Sequence, residues 1–135
     1  MSLRTAVVIT ASNRASRGEY ADLSGASLAQ GLTDLGYAVS GPHVVADSID
    51  LISEQLTVAL ANKTRLIVTT GGTGVSPTDT TPEATAPFIE KLIPGFSEAL
   101  RAYSRDKVPT SDLTRGLVGT HGTSLIINLP GSQGA

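Results

Sequence analysis

The sequence contains no cysteine, and its only imidazoles are His43 and His121. The absence of thiols excludes disulfides, cysteine nucleophiles, iron–sulfur clusters and cysteine-based zinc sites, since each of these requires sulfur. Two histidines are too few for a histidine-rich metal centre, and we expect neither of them to be catalytic. Whole classes of reaction are therefore excluded.

An excess of one charge and a long hydrophobic run are also missing. Ten basic and twelve acidic residues give a net charge of -2 without blocks of like charge, which disfavours a nucleic-acid groove. No apolar run approaches the roughly 18 residues of a membrane span. Residues 1–10 lack the basic region and cleavage site of a signal peptide. We expect a cytoplasmic protein that binds neither nucleic acid nor membranes.

The 135 residues, 40% of them hydrophobic, fit a single domain over residues 1–135. Continuous apolar runs at residues 6–9 and 66–68 are typical of strands buried on both faces, as in a parallel sheet. Leucines at helical spacing over residues 28–35, and apolar residues over 49–60 after a cap at Asp47 or Ser48, predict helices. The pattern predicts an α/β fold, a three-layer sandwich with a mostly parallel mixed sheet flanked by helices.

Four further segments complete the predicted elements. A weaker strand covers residues 37–45 and is interrupted at Gly41 and Pro42. Pro82 and Glu83 begin a helix that we expect to end at Pro94, and a short helix follows from Phe96 to Tyr103. Apolar residues at 117–118 and 125–127 predict an antiparallel pair, which would place an antiparallel edge strand near the C-terminus.

Ligands in open α/β sheets bind beyond the carboxyl ends of the strands, where residues 12–22, residues 47–48 and residues 71–79 should converge. We call residues 71–79 the glycine loop. Its Gly71, Gly72 and Gly74 permit positive φ, so that backbone N–H groups can turn toward a phosphate. The loop matches neither a P-loop nor a dinucleotide fingerprint. Taken alone, the motif is more often a simple glycine-rich connection.

Carboxylates border this candidate phosphate site. Asp47 and Asp79 follow neighbouring strands and could hold Mg²⁺ against a phosphorylated substrate. The alternative is that both are helix-cap or turn aspartates. Arg14, on the first loop, could contact phosphate or be an ordinary exposed arginine. Ser132 could donate to a ligand or cap the next element.

Segments spread over nearly the whole chain agree with one family: SNRAS at 12–16, TTGGTG at 69–74, TPEAT at 81–85, IPGF at 93–96 and NLPGS at 128–132. Together they resemble the MoaB/Mog family of molybdenum cofactor biosynthesis, which includes the molybdopterin adenylyltransferases and the gephyrin G domain. The resemblance implies that the phosphate of molybdopterin attacks the α-phosphate of ATP and releases pyrophosphate, with Mg²⁺ as cofactor.

The resemblance also implies roles for individual residues. Asp47 and Asp79 would be catalytic and would hold the metal. The binding residues would be Gly71, Gly72, Thr73, Gly74, Ser12, Arg14 and Ser132. A homo-trimer is expected, with other molybdenum cofactor biosynthesis proteins as further partners.

Three departures from the family pattern bear on activity. Thr78 stands where the family commonly has Arg, and Asn13 stands where an Asp is common. Relatives continue beyond residue 135, so the domain would lack a C-terminal helix. The alternative function is a non-catalytic molybdopterin-binding or assembly protein of the MoaB type. A nucleotide hydrolase is a third class, although no residue suggests a water-activating base.

Overall fold

Strands and helices alternate along residues 4–131, the part of the chain that the computed structural model describes. The strands are β1 (Thr5–Ala11), β2 (Ala38–Val45), β3 (Leu66–Thr70), β4 (Lys91–Leu92), β5 (Val118–His121) and β6 (Ser124–Leu129). The helices are α1 (Asn13–Ser16), α2 (Leu23–Asp34), α3 (Ile49–Ala61), α4 (Thr81–Thr85) and α5 (Pro94–Ser104), with 3-10 turns at Ala86–Phe88 and Pro109–Leu113. None of the described helices is long and apolar enough to cross a bilayer.

The strands form one six-stranded sheet in the order β2-β1-β3-β6-β5-β4. The first four strands in this order are parallel to one another. Strand β5 runs antiparallel to both of its neighbours, β6 and β4. The predicted mostly parallel mixed sheet, with its antiparallel pair near the C-terminus, is therefore confirmed.

Both faces of the central strands are covered, which explains their continuous apolar sequences. Successive side chains alternate between two clusters, one packed against α3 and α4 and the other against α2. The first cluster contains Ile9, Ala11, Ile52, Leu56, Ala59, Ile67, Ala84 and Ile126. The second contains Ala6, Val8, Leu32 and Val68. The three predicted layers are thus a sheet between two helical layers.

The helix predicted from Pro82 to Pro94 is wrong. Helix α4 ends at Thr85, a 3-10 turn follows, and Lys91–Leu92 then pair with β5 as the last strand of the sheet. Pro94 begins α5 instead of ending a helix, because the first helical position does not need the N–H that proline lacks. The short helix predicted over residues 96–103 is confirmed as part of α5.

One further prediction differs in detail, and another is confirmed. Strand β2 continues through Gly41 and Pro42, which is possible because β2 lies at the sheet edge and its register against β1 shifts there. Helix α3 begins as predicted, since the Ser48 side chain accepts a hydrogen bond from the Leu51 N–H.

Candidate active site

The carboxyl ends of β1, β3 and β6 lie side by side, since Thr10 pairs with Thr70 and Thr70 with Leu129. The chain segments that leave this edge border a cleft of about 650 Å³. The three loops expected to converge do so here. Of the predicted site residues, the cleft lining includes Ser12, Asp47, Gly71, Gly72, Thr73, Gly74 and Asp79.

The start of the glycine loop is fixed by the sheet and by α4. Gly71 has a φ of 92° and donates its N–H to the Leu129 carbonyl at 3.0 Å. Thr81, which is completely buried, donates its hydroxyl to the Gly71 carbonyl and its N–H to the Gly72 carbonyl, each at 3.0 Å. A Cβ on Gly71 would overlap the Ala11 carbonyl oxygen, so glycine is required. We call Gly71 and Gly72 the sheet-held half of the loop.

The rest of the loop, residues 73–79, is held mainly by Arg115, and we call it the arginine-held half. The backbone N–H of Arg115 donates to the Thr73 carbonyl at 2.8 Å. Its Nε donates to the Gly74 carbonyl at 2.8 Å, and its Nη2 donates to the Asp79 carbonyl at 3.0 Å. Sequence reasoning missed Arg115, since Arg115 follows Asp79 by 36 positions and belongs to no recognisable motif.

Glu83, on α4, orients this arginine. Nη1 and Nη2 of Arg115 donate to the two carboxylate oxygens of Glu83, which makes the pair bidentate. The hydrogen bond from Arg115 lowers the pKa of Glu83, and Glu83 in turn raises the pKa of Arg115. The guanidinium is therefore charged and fixed in plane between α4 and the glycine loop.

Asp47 lies two residues after the end of β2 and is hydrogen-bonded to Asn13 of the first loop. The Asp47 N–H donates to Asn13 Oδ1 at 2.8 Å, and the Asn13 N–H donates to Asp47 Oδ2 at 3.1 Å. Within residues 4–131, the other carboxylate oxygen, Oδ1, is buried without a hydrogen-bond partner. It lies 3.1 Å from where a Cβ on Gly72 would stand. Burial raises the pKa of Asp47, and the charge of Asp79 raises it further, against the lowering effect of the Asn13 N–H.

Asp79 closes a turn within the arginine-held half. Its Oδ2 accepts from the Ser76 N–H at 2.9 Å, and its own N–H donates to the Ser76 carbonyl at 2.9 Å. The same Oδ2 lies 2.8 Å from where a Cβ on Gly74 would stand. The residue is thus a turn aspartate and also borders the cleft. Thr78 is exposed, and its hydroxyl lies 3.2 Å from that of Ser76.

The charge of the cleft is negative. Its described lining contains Asp22, Asp47 and Asp79 and no Lys, Arg or His. A phosphate entering this cleft would be repelled unless a cation accompanied it. The unpartnered Asp47 oxygen and the neighbouring Asp79 fit a hard cation such as Mg²⁺, which takes one or two carboxylates and completes its shell with phosphate oxygens and water. Within residues 4–131, no three or more His, Asp or Glu side chains are grouped so that they could hold a metal ion.

Of the remaining predicted binding residues, Ser12 borders the cleft and Arg14 lies outside it. Ser12 caps α1 by accepting from the Ala15 N–H at 3.1 Å, and its hydroxyl lies 3.0 Å from that of Tyr20. Arg14 is exposed on α1, with its guanidinium 4.9 Å from the centre of the Tyr20 ring, and it does not line the cleft. Ser132 lies outside the described residues.

A family model described as "probable molybdopterin binding domain" matches residues 7–135. The chain belongs to this family. Among its relatives, the molybdopterin adenylyltransferase of Helicobacter pylori (strain J99 / ATCC 700824) is 44% identical over 128 residues, which are 92% of this chain and 72% of that protein. Molybdenum cofactor biosynthesis protein B of Staphylococcus carnosus is 39% identical over 108 residues, which cover 77% of this chain and 64% of that protein.

Solved structures of the family agree with the fold. The molybdopterin biosynthesis Mog protein from Mycobacterium ulcerans superimposes with a TM-score of 0.91 at 45% sequence identity, covering 97% of this chain and 86% of that one. The MoaB/Mog resemblance of the sequence is therefore confirmed by both sequence and structure.

Proposed function

We propose that this chain is a Mg²⁺-dependent molybdopterin adenylyltransferase. In this reaction a phosphate oxygen of molybdopterin attacks the α-phosphorus of ATP, the bond from that phosphorus to the β-phosphate bridging oxygen breaks, and pyrophosphate leaves. The products are adenylylated molybdopterin and pyrophosphate. The 44% identity to the Helicobacter pylori adenylyltransferase supports this proposal.

One observation carries the chemical part of the proposal: the buried, unpartnered Oδ1 of Asp47 beside Gly72, in a cleft lined by acidic side chains. A buried carboxylate oxygen without a partner is costly, and a bound cation removes that cost. A polyanionic substrate can enter such a cleft only together with a cation. Two phosphorylated substrates and Mg²⁺ satisfy both requirements.

Each group of residues has its own role in the proposed reaction. The glycine loop would bind the pterin phosphate through backbone N–H groups other than that of Gly71, which donates to Leu129. Asp47 and Asp79 would hold Mg²⁺, which would neutralise charge on the transferring phosphate. Ser12 lies at the side of the cleft, while Arg14 and Ser132 are proposed to contact the outer parts of the substrates. No covalent nucleophile is needed, because positioning and charge neutralisation supply the catalysis of phosphoryl-group transfer.

The alternative is a non-catalytic molybdopterin-binding or assembly protein of the MoaB type. It is favoured by Thr78, which leaves the loop without the cation common at this position, and by the similarity to the Staphylococcus carnosus protein B. Such a protein would bind molybdopterin without consuming ATP.

Incubation with molybdopterin, ATP and Mg²⁺ distinguishes these functions. We expect adenylylated pterin and pyrophosphate in equal amounts, and neither product when a chelator removes Mg²⁺. Pterin binding without either product would support the assembly protein. Pyrophosphate released without adenylylated pterin would indicate a nucleotide hydrolase. The homo-trimer, the further biosynthetic partners and the cytoplasmic location stay predictions.

A further inference from the structure

Arg115 makes more contacts than an ion pair requires. All three of its guanidinium nitrogens donate hydrogen bonds, to two loop carbonyls and to Glu83. Its backbone N–H binds a third loop carbonyl, that of Thr73. The pair between Arg105 and Asp112 is different, since both side chains are 56% exposed and Arg105 donates from Nε to a single oxygen. Arg115 is therefore built into the loop, whereas Arg105 is a surface ion pair.

The loop carbonyls that Arg115 binds flank the turn that carries Asp79. Gly74 precedes the turn and Asp79 ends it, and both carbonyls accept from the same planar guanidinium. Within the turn, the Ser76 N–H fixes the Asp79 carboxylate. The location of that carboxylate relative to the cleft thus depends on the two bonds from Arg115.

The sheet-held half does not depend on Arg115. Gly71 and Gly72 are bound by Leu129 and Thr81. Loss of the arginine should therefore move Asp79 while the backbone around Gly71 and Gly72 keeps its position. The two parts of the glycine loop can be separated by mutation.

We propose that Arg115 is a positioning residue, whose guanidinium, oriented by Glu83, fixes residues 73–79 so that the Asp79 carboxylate is held beside the sheet-held half. The consequence for turnover rests on the proposed adenylyl transfer, while the effect on the loop does not. Arg115 itself does not line the cleft and acts through the loop backbone. A displacement of a reacting group by about 1 Å can lower a rate by about 10²-fold.

Arg115→Lys and Arg115→Met test the proposal, with Arg105→Met as the matched control. A lysine keeps the charge but cannot bind two carbonyls and a carboxylate in one plane. We expect both Arg115 variants to lower kcat by about 10-fold to 10²-fold. The dissociation constant for molybdopterin should change much less, because Gly71 and Gly72 keep their own partners. Amide hydrogen exchange without substrates should become faster in residues 73–79 and stay unchanged in β1 and β3. The control should match the wild type in every measurement.

The exchange measurement separates this proposal from the proposed function. Faster exchange in residues 73–79, in a chain whose wild type makes no adenylylated pterin, would support the loop-holding role and refute the enzyme. Wild-type kcat or wild-type exchange in a folded Arg115→Lys protein would overturn the positioning role. If Arg115→Met does not fold, Arg115→Lys decides by the same criteria.

Discussion

The two halves of the glycine loop are held in different ways. The sheet-held half is anchored by Leu129 at the end of a central strand and by the fully buried Thr81. The arginine-held half contains the exposed residues 75–78 and depends on Arg115, which comes from a distant segment. A phosphate cradle gains from the rigidity of the core, because its donors need no reorganisation on binding. A carboxylate on a turn can instead be placed by a single side chain, so binding and turnover should respond to different mutations.

Asp79→Asn breaks the arginine-held half with the largest expected effect. The amide keeps the size and can still accept from the Ser76 N–H, but it loses the charge. Turnover should fall by roughly 10²-fold or more, while molybdopterin binding changes far less. Single-turnover adenylylation and calorimetry on the same preparation measure both.

Asp50→Asn provides the control, since Asp50 is an exposed aspartate in the first turn of α3. If Asp79 is only a turn residue, Asn should serve as well and cost a few tenths of a kcal/mol, as at helix caps, with turnover intact. Near-wild-type adenylylation by Asp79→Asn would sink the catalytic assignment.

Gly72→Val breaks the sheet-held half. Gly72 has a φ of 69°, and a Cβ there would overlap the Thr81 hydroxyl and approach Asp47 Oδ1. A strained residue of this kind costs about 1–3 kcal/mol, and the side chain also crowds the phosphate position. Calorimetry should show a weakened affinity for molybdopterin, in contrast to Asp79→Asn.

Gly31→Val is the matched control, because Gly31 lies in α2 with no atom within 4 Å of an added Cβ. It should bind molybdopterin like the wild type. Unchanged affinity in a folded Gly72→Val protein would place the phosphate cradle elsewhere.

Substitutions of two threonines compare how much a hydroxyl hydrogen bond in each half of the loop contributes to the stability of the fold. Thr81→Val removes the hydroxyl that binds the Gly71 carbonyl in the sheet-held half, which should cost about 1–2 kcal/mol since the carbonyl loses its partner. Thr114→Val removes a hydroxyl that donates to Thr73 Oγ1 at 2.8 Å in the arginine-held half. Its effect should be smaller, because Thr114 is only partly buried, whereas Thr81 is completely buried. Chemical denaturation measures both, and equal losses would contradict the difference between the halves.

The smallest effect concerns Glu83→Gln and its pH dependence. Arg115 holds the pKa of Glu83 below its ordinary value of 4.5, so the ion pair stabilises the fold above pH 4.5. This contribution is lost as the pH falls through the lowered pKa. The Glu83 carboxylate is half exposed, so its ion pair is weak. The free energy of unfolding of the wild type should therefore exceed that of the variant by only about 0.5 kcal/mol at pH 7. In thermal melts, the difference in melting temperature between the wild type and the variant should shrink from pH 7 to pH 3. A difference that grows toward low pH would contradict the lowered pKa of Glu83.

Much of the sheet could be predicted because its central strands have both faces buried. The strands at the apolar runs of residues 6–9 and 66–68 were predicted from local sequence and are confirmed. A helix cap was predicted at Asp47 or Ser48, and the structure has it at Ser48. The helix expected over residues 82–94 ends at Thr85 instead. Residues 91–92 pair with β5, and this pairing overrides local helix propensity. A strand of two residues has no periodicity that could predict it.

The candidate site, like the fold, could be predicted only in part. The approach of residues 12–22, Asp47 and the glycine loop follows from parallel strands, whose carboxyl ends share one edge. The unpartnered Asp47 oxygen and the Asn13–Asp47 pair of hydrogen bonds were beyond prediction, because they depend on how two loops meet.

Local sequence determined the central strands, the helices α2, α3 and α5, the glycines that permit positive φ and the carboxylates that follow the strands. Backbone preference and burial pattern act over a few residues. The tertiary structure alone decided which residues form hydrogen bonds to each half of the glycine loop. Arg115 meets Gly74 and Asp79 only after β5 and β6 have brought the end of the chain back to the sheet. Hydrogen bonds between residues so distant in sequence depend on the packing of the whole fold, and no local pattern encodes them.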